Sequence, residues 1–228
     1  MEWYAQEVAG LANKLRQGKL PPEPIAFYGS SSIRLWDQLP ADLENPCALN
    51  LGFGGSTLAA CVHFFDHLIP LVRPRSLLVY AGDNDLGDGQ SPEFVVDRFH
   101  ALAEKIRAFD AALPWAFLSI KLSPARLYLR PLIDRANNAI RQEAARQPRA
   151  AFIDVASPLL NSMGYPAAEY FQADGLHLSP AGYRRWAETL KQDRNRMFIN
   201  PSPDICSTEL SSSQIPAGQD ASGIPQVV

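Results

Sequence analysis

Short apolar runs alternate with longer amphipathic segments from residue 25 to residue 191. The runs are rich in aliphatic and aromatic side chains and contain few polar residues, which is typical of strands covered on both faces of a parallel sheet. They occupy residues 25–28, 47–51, 77–80, 116–120 and 151–155. The pattern therefore predicts five buried strands.

The segments between these runs repeat their apolar residues at helical spacing. Residues 92–110 show this most clearly, with Val95, Phe99, Leu102 and Ile106 separated by four and three positions. Further helices are predicted at residues 2–16, 57–68, 130–146 and 180–191. Alternating strands and helices of these lengths imply parallel strands joined by right-handed crossovers. The predicted fold class is α/β, as a three-layer α/β/α sandwich.

The chain of 228 residues suits one domain of this class and is short for two. We expect the domain to span residues 1–194, with residues 1–20 forming a helix on its flank. From Asn195 the composition shifts to Ser, Pro, Gly and Gln with few large apolar side chains. Residues 195–228 are therefore predicted to be a disordered tail, to which no function is assigned.

Composition and charge narrow the choice of partner. Hydrophobic residues make up 46% and charged residues 20%, as in ordinary globular proteins. A net charge of -3 provides no broad positive field for nucleic acid or a membrane surface, so a small-molecule substrate is expected. The apolar runs are too short to span a bilayer, and the amino terminus lacks a leader pattern. The expected location is cytoplasmic.

Two local patterns could suggest metal sites. Residues 83–88 resemble the opening of a calcium loop, but Phe94 occupies the position of the required bidentate Glu. His63 and His67 lie one helical turn apart, but no third ligand is evident, so a pair on a helix surface is the better interpretation. The three cysteines are widely spaced and form no C-x-x-C pair. No metal site is predicted.

Four polar clusters each follow an apolar run. In an open parallel sheet, loops at the carboxyl ends of neighbouring strands converge on one crevice. A Ser, a His, an Asp and several hydrogen-bond donors would meet there, as acyl transfer through a serine nucleophile requires. The clusters lie at residues 29–32, 52–56, 82–84 and 174–177.

The first cluster contains the candidate nucleophile. Ser31 would lie at a tight turn between strand and helix, with its own N–H directed toward the crevice. The alternative is a polar loop that caps a helix starting near Ile33, and three adjacent serines leave the choice of hydroxyl open. The pattern G-x-S-x-G of the α/β-hydrolases is absent.

The other clusters supply candidate donors and a candidate base. Gly55 could present a backbone N–H to a bound oxygen, although the glycines also suit an ordinary βα turn. Asn84 offers an uncharged NH₂ donor. Asp174, three residues before His177, could orient the imidazole while the second ring nitrogen faces the nucleophile.

In this order, the four clusters resemble the SGNH or GDSL family of serine hydrolases. The resemblance implies that Ser31 is the nucleophile, His177 the general base and Asp174 its orienting carboxylate. It also implies an oxyanion hole formed by the Ser31 N–H, the Gly55 N–H and the Asn84 side chain. A flavodoxin-like fold with five parallel strands, no cofactor and no metal are further implications.

The resemblance covers residues 25–190 and departs from the family at Ser30, where the usual Asp is replaced. It implies a serine esterase or acylhydrolase that cleaves a small carboxylic ester. An acyltransferase using the same site, or a noncatalytic domain that binds a small ligand, are the alternatives. Lys121 and Arg126 follow the fourth run and are expected to line a substrate pocket that favours an anionic substrate, or else to be solvated surface residues.

Overall fold

The computed structural model describes residues 1–192 and residue 198. Five parallel strands form one sheet in the order β2-β1-β3-β4-β5, which is the flavodoxin-like order. The prediction of an α/β fold with five parallel strands is confirmed. The strands are β1 (Ile25–Gly29), β2 (Ala48–Gly52), β3 (Ser76–Tyr80), β4 (Trp115–Leu118) and β5 (Ala150–Ile153).

The described residues contain the five predicted long helices and three short ones, of which α2 corresponds to the helix expected near Ile33 and α3 and α5 were not predicted. Within the described part of the chain, no helix is both long and apolar enough to cross a membrane. The helices are α1 (Glu2–Gln17), α2 (Ser31–Arg34), α3 (Leu39–Asp42), α4 (Leu58–Val72), α5 (Asp83–Gly87), α6 (Pro92–Phe109), α7 (Arg130–Ala144) and α8 (Pro180–Leu190).

The sheet buries both of its faces. Successive side chains of a strand point to opposite faces, so Ala26 and Tyr28 of β1 pack in one core and Ile25 and Phe27 in the other. Helices α1, α4, α6 and α7 cover the first face, whereas α2, α3 and α8 cover the second. This arrangement explains why the strands read as continuous apolar runs.

Polar side chains fix where the helices beside the crevice begin. Thr57 accepts a hydrogen bond from the Ala60 N–H at the start of α4, and Ser179 accepts one from the Gly182 N–H at the start of α8. Pro180 occupies the first position of α8, where its missing N–H costs nothing. Helix α8 thus begins shortly after the fourth polar cluster.

Phe198 packs against the domain. Its side chain is buried in the core shared by α2, α3 and α8, and the Ser76 Oγ donates to its carbonyl oxygen at 2.5 Å. Phe198 lies within residues 195–228, the segment predicted as a disordered tail, and it is buried against the domain. The predicted boundary at residue 194 and the other tail residues lie outside the described residues.

Candidate active site

Ser31, His177 and Asp174 form a chain of two side-chain contacts. The Nε2 atom of His177 lies 3.1 Å from the Oγ of Ser31, and its Nδ1 lies 2.6 Å from the Oδ2 of Asp174. Both distances are within hydrogen-bond range. The structure thus brings together the three side chains that the sequence predicted to meet, although they are separated by up to 146 positions.

The turn after β1 presents Ser31 at the first residue of α2. Gly29 adopts φ +142°, and a Cβ at this position would lie 1.9 Å from the carbonyl oxygen of Tyr80. Only glycine lets β1 lie so close to β3 at its end. The backbone N–H of Ser30 then donates to the same carbonyl oxygen at 2.9 Å, which fixes the residue next to the candidate nucleophile.

Asp174 is held by its own turn. Its Oδ1 accepts hydrogen bonds from the backbone N–H groups of Leu176 at 2.9 Å and His177 at 3.0 Å, so its Oδ2 remains for the imidazole. The Leu176 N–H, the His177 side chain and the His177 N–H together lower the pKa of Asp174 to about 2. The carboxylate is therefore ionised at neutral pH and can stabilise a positive imidazole.

The glycine loop after β2 is anchored from outside the sheet. Gly55 is exposed and adopts φ +63°, and no atom lies within 4 Å of where a Cβ would be. The N–H of Gly54 donates to Glu7 Oε2 at 2.8 Å, and the Tyr4 hydroxyl donates to the Gly55 carbonyl oxygen at 3.1 Å. Helix α1 therefore contacts the peptide groups on both sides of the Gly55 N–H.

Asn84 lies in α5 beside the same loop. Its Nδ2 donates to the Ser56 carbonyl oxygen at 3.1 Å, one residue beyond Gly55. Its Oδ1 accepts a hydrogen bond from Nη2 of Arg126 at 2.9 Å. Since an amide nitrogen carries two hydrogens, Nδ2 has a second hydrogen available to a bound oxygen.

The side chain of Lys121 is buried. Its side chain is only 1% exposed, and its Nζ lies 3.2 Å from Asp83 Oδ2 and 3.2 Å from the Tyr80 hydroxyl. Lys121, one of the two residues expected to line a substrate pocket, therefore directs its ammonium group toward the buried carboxylate of Asp83. Burial raises the pKa of Asp83, but the charges of Lys121 and Arg126 outweigh that effect and keep the pKa below its usual value.

Arg126 lies beside the site, with a side chain that is 18% exposed. Its guanidinium contacts Asn84 and Asp83, so the described contacts direct it toward the protein. The sequence did not predict this contact, nor those of Tyr4 and Glu7 with the glycine loop. Each joins segments more than 40 positions apart, and no local pattern indicates such pairs.

The two histidines considered as metal ligands are exposed on α4, with ring centroids of His63 and His67 6.2 Å apart. Among residues 1–192 and 198, no three His, Cys, Asp or Glu side chains are grouped so that they could hold a metal ion. The exposure of both rings agrees with the interpretation of the two histidines as a surface pair.

Comparisons with known proteins agree with the fold. The model of the GDSL-like Lipase/Acylhydrolase family matches residues 21–185. The platelet-activating factor acetylhydrolase IB subunit alpha1 of Bos taurus is 28% identical over 166 residues, which cover 70% of this chain and 69% of the relative.

Solved structures show the same fold at lower identity. A GDSL-like lipase from Bacteroides thetaiotaomicron superposes with a TM-score of 0.66 at 17% identity, covering 83% of this chain and 98% of the other. A protein from Streptococcus pneumonia, whose name as a platelet activating factor is provisional, superposes with a TM-score of 0.71 at 22% identity and covers 83% and 94%. At these identities the two structures support the architecture alone.

Proposed function

The chain belongs to the GDSL-like lipase/acylhydrolase family and is a hydrolase acting on ester bonds, and on this basis we propose that it cleaves a small carboxylic ester through Ser31, His177 and Asp174. The observation that carries the proposal is the unbroken series of contacts from the Ser31 hydroxyl through the imidazole to the carboxylate. A hydroxyl, a base and an orienting group within bonding reach are what an activated serine needs.

The first half of the reaction transfers the acyl group to the protein. With its Nδ1–H donated to Asp174, the imidazole of His177 has a free lone pair on Nε2. Nε2 takes the Ser31 proton as Oγ attacks the ester carbonyl carbon. The tetrahedral intermediate collapses, the imidazolium returns the proton to the leaving alkoxide, and an alcohol departs.

The second half uses water. His177 removes a proton from water as the water oxygen attacks the acyl-serine carbonyl. The C–O bond to Ser31 then breaks, Oγ recovers its proton from the imidazolium, and a carboxylic acid is released. The ionised Asp174 stabilises the positive imidazole in both halves.

The developing oxyanion is bound by three donors in this proposal. The Ser31 N–H lies at the beginning of α2, the Gly55 N–H lies in a loop held by α1, and Asn84 supplies its second amide hydrogen. Donors that are fixed before the reaction need no rearrangement when negative charge develops, which is the main source of such stabilisation.

The acyl group is proposed to be short. The name of the Bos taurus relative specifies hydrolysis of an acetyl group. A p-nitrophenyl acetate assay is therefore the first choice for measuring turnover, and longer p-nitrophenyl esters would define the limit on chain length.

The test separates Ser31 from its two serine neighbours. Ser31→Ala is expected to abolish labelling by a fluorophosphonate probe and to lower p-nitrophenyl acetate turnover by at least about 10³-fold, because no other group can form the acyl intermediate. Ser30→Ala and Ser32→Ala remove the adjacent buried hydroxyls and should still be labelled. Labelling that persists in Ser31→Ala, in protein that keeps the wild-type circular dichroism spectrum, would refute the proposal.

A further inference from the structure

Arg126 contacts both the buried ion pair of Asp83 and Lys121 and the amide of Asn84. We infer that Arg126 is a positioning residue, which orients the Asn84 amide so that its NH₂ faces the oxyanion. This inference rests on the proposed function, since it assigns Arg126 a part in the same reaction. It also replaces the expectation that Arg126 binds an anionic substrate.

The guanidinium of Arg126 favours one orientation of the Asn84 amide over the flipped one. Nη2 donates to Asn84 Oδ1 at 2.9 Å, while Asn84 Nδ2 donates to the Ser56 carbonyl oxygen at 3.1 Å. A flipped amide would place NH₂ against the guanidinium, a donor against a donor, and its oxygen against a carbonyl oxygen. Both contacts would be repulsive, so only the observed orientation satisfies both neighbours.

Arg126 is itself fixed by charge and by backbone. Nη1 donates to the carbonyl oxygen of Asp83 at 2.9 Å and lies 3.4 Å from Asp83 Oδ2. Lys121 holds the same carboxylate oxygen from the core side at 3.2 Å. The planar guanidinium donates in two fixed directions at once, which the single ammonium of a lysine cannot do.

Gly87 provides the space for the guanidinium. A Cβ at this position would lie 3.0 Å from both Cζ and Nη2 of Arg126, and 3.1 Å from its Nε. An alanine here would displace the end of the arginine side chain without removing its charge. Gly87 thus offers a second way to disturb the contact with Asn84.

The same segment also contacts the turn that carries the base. Arg126 lies in a 3₁₀ turn, Pro124–Leu129, and the N–H of Ala125 donates to the Gly175 carbonyl oxygen at 3.0 Å. Gly175 separates Asp174 from the residues that bind its carboxylate. One short turn therefore contacts both the proposed oxyanion donor and the loop of the proposed base.

A double-mutant cycle tests whether Arg126 acts through Asn84. Asn84→Ala is expected to lower kcat for p-nitrophenyl acetate about 10²-fold, the usual result of losing one oxyanion donor. Arg126→Met should lower kcat roughly 10-fold or more with KM changed less than about threefold, because only transition-state binding is lost. In the Asn84→Ala background, Arg126→Met should change kcat by less than about threefold, since its target is gone.

Three further variants complete the experiment. Gly87→Ala should reproduce part of the fall in kcat and keeps the inference testable if Arg126→Met does not fold. Arg126→Lys keeps the charge near Asp83 and should restore folding more than kcat. Arg135→Met removes an exposed arginine that pairs with Glu93 on the surface and should leave kcat unchanged.

The outcomes distinguish this inference from the proposed function. Fold-losses that multiply in the double variant would overturn it, because Arg126 would then act independently of Asn84. So would an unchanged kcat with a raised KM for an anionic ester, since that result indicates direct substrate binding. An unchanged kcat in Arg126→Met, together with a lowered kcat in Asn84→Ala, would refute the positioning role alone. A fully active Ser31→Ala would refute the proposed function itself.

Discussion

Asp174 divides its two carboxylate oxygens between the backbone and the imidazole. One oxygen accepts the N–H groups of residues 176 and 177, and the other contacts Nδ1 of His177. The backbone contacts alone would hold the carboxylate in place. The Asp174 carboxylate is therefore fixed by its own turn, independently of its contact with the imidazole. This matters because a base must be aligned before the reaction begins.

This arrangement predicts how the Asp174 carboxyl titrates. In His177→Ala the pKa of Asp174 should rise from about 2 but remain below its usual value, because the backbone N–H groups of Leu176 and residue 177 still bind it. Carbon-13 NMR of the aspartate carboxyl groups measures this shift. An Asp174 resonance that titrates identically in the two proteins would contradict the assigned contact with the imidazole.

The lowered pKa of Asp174 determines how this carboxyl changes the stability of the fold with pH. A carboxyl whose pKa is depressed in the folded state contributes stability that is present above its ordinary pKa and is lost as the pH falls through about 2. The Asp174 side chain is 46% exposed, so solvent screens the effect. Urea unfolding of Asp174→Asn and of the wild type should therefore differ more at pH 6 than at pH 2.

At the residue scale, the sequence indicated which side chains meet but not which way all of them face. The Asp174 and His177 pair could be predicted because three positions within one turn determine its geometry. Lys121 could not, since a lysine after a strand reads as solvent-exposed. Its burial depends on Asp83 and Tyr80, which reach it only after β3 and β4 pair in the sheet.

At the element scale, α1 contributes to the site and does not merely cover a flank. The Tyr4 hydroxyl and the Glu7 carboxylate bind the two peptide groups that flank the Gly55 N–H. Glu7 Oε1 also lies 3.6 Å from Nε of Arg34, at the end of α2. Helix α1 thereby links the glycine loop to the helix that begins at Ser31.

Removing these contacts should lower turnover without removing any reacting group. Tyr4→Phe and Glu7→Ala are each expected to reduce kcat for p-nitrophenyl acetate about 3- to 10-fold. A less firmly held Gly55 N–H would lose part of the oxyanion stabilisation that a fixed donor contributes. Glu7→Gln should be milder, since its amide oxygen can still accept the Gly54 N–H. Steady-state kinetics measures both effects.

Glu2→Gln is the matched control, since Glu2 is an exposed residue of the same helix. It should leave kcat unchanged. If all of these variants keep wild-type kcat, α1 has no part in holding the glycine loop during catalysis.

The long elements could be predicted from periodicity, whereas the short ones could not. Helices α2, α3 and α5 have four or five residues, which is too few for a 3.6-residue repeat to show. Helix α4 was expected to end near Leu68 but continues through Pro70 to Val72. Burial of Ile69 and Val72 offsets the one backbone hydrogen bond that the proline lacks.

At the scale of the whole molecule, strand order brings the site together. Strand β1 lies between β2 and β3, so the loop carrying Ser31 is flanked by the loops carrying Gly55 and Asn84. Arg126 follows β4, the next strand in the sheet. The alternation of strands and helices in the sequence predicted that these loops lie together at the carboxyl ends of the strands. The order of the strands depends on how the crossovers pack, and no local sequence pattern indicates that order.

The buried Phe198 allows stability and catalysis to be separated. Ser76, whose hydroxyl binds the Phe198 carbonyl oxygen, is the first residue of β3, whereas the site follows the carboxyl ends of the strands. Phe198→Ala should lower the free energy of unfolding by about 3 kcal/mol, as expected when a buried phenylalanine is truncated. Urea unfolding measures the loss, and Tyr128→Ala, which truncates an aromatic residue that is 72% exposed, should cost less than about 0.5 kcal/mol.

Because Phe198 lies at the opposite edge of the sheet from Ser31, its loss should leave the geometry of the site intact. At a temperature where Phe198→Ala is still folded, kcat and the rate of fluorophosphonate labelling should equal those of the wild type. A stability as high as that of the wild type would mean that Phe198 does not pack in the core. A lowered kcat in folded protein would instead mean that residues beyond 192 influence the crevice.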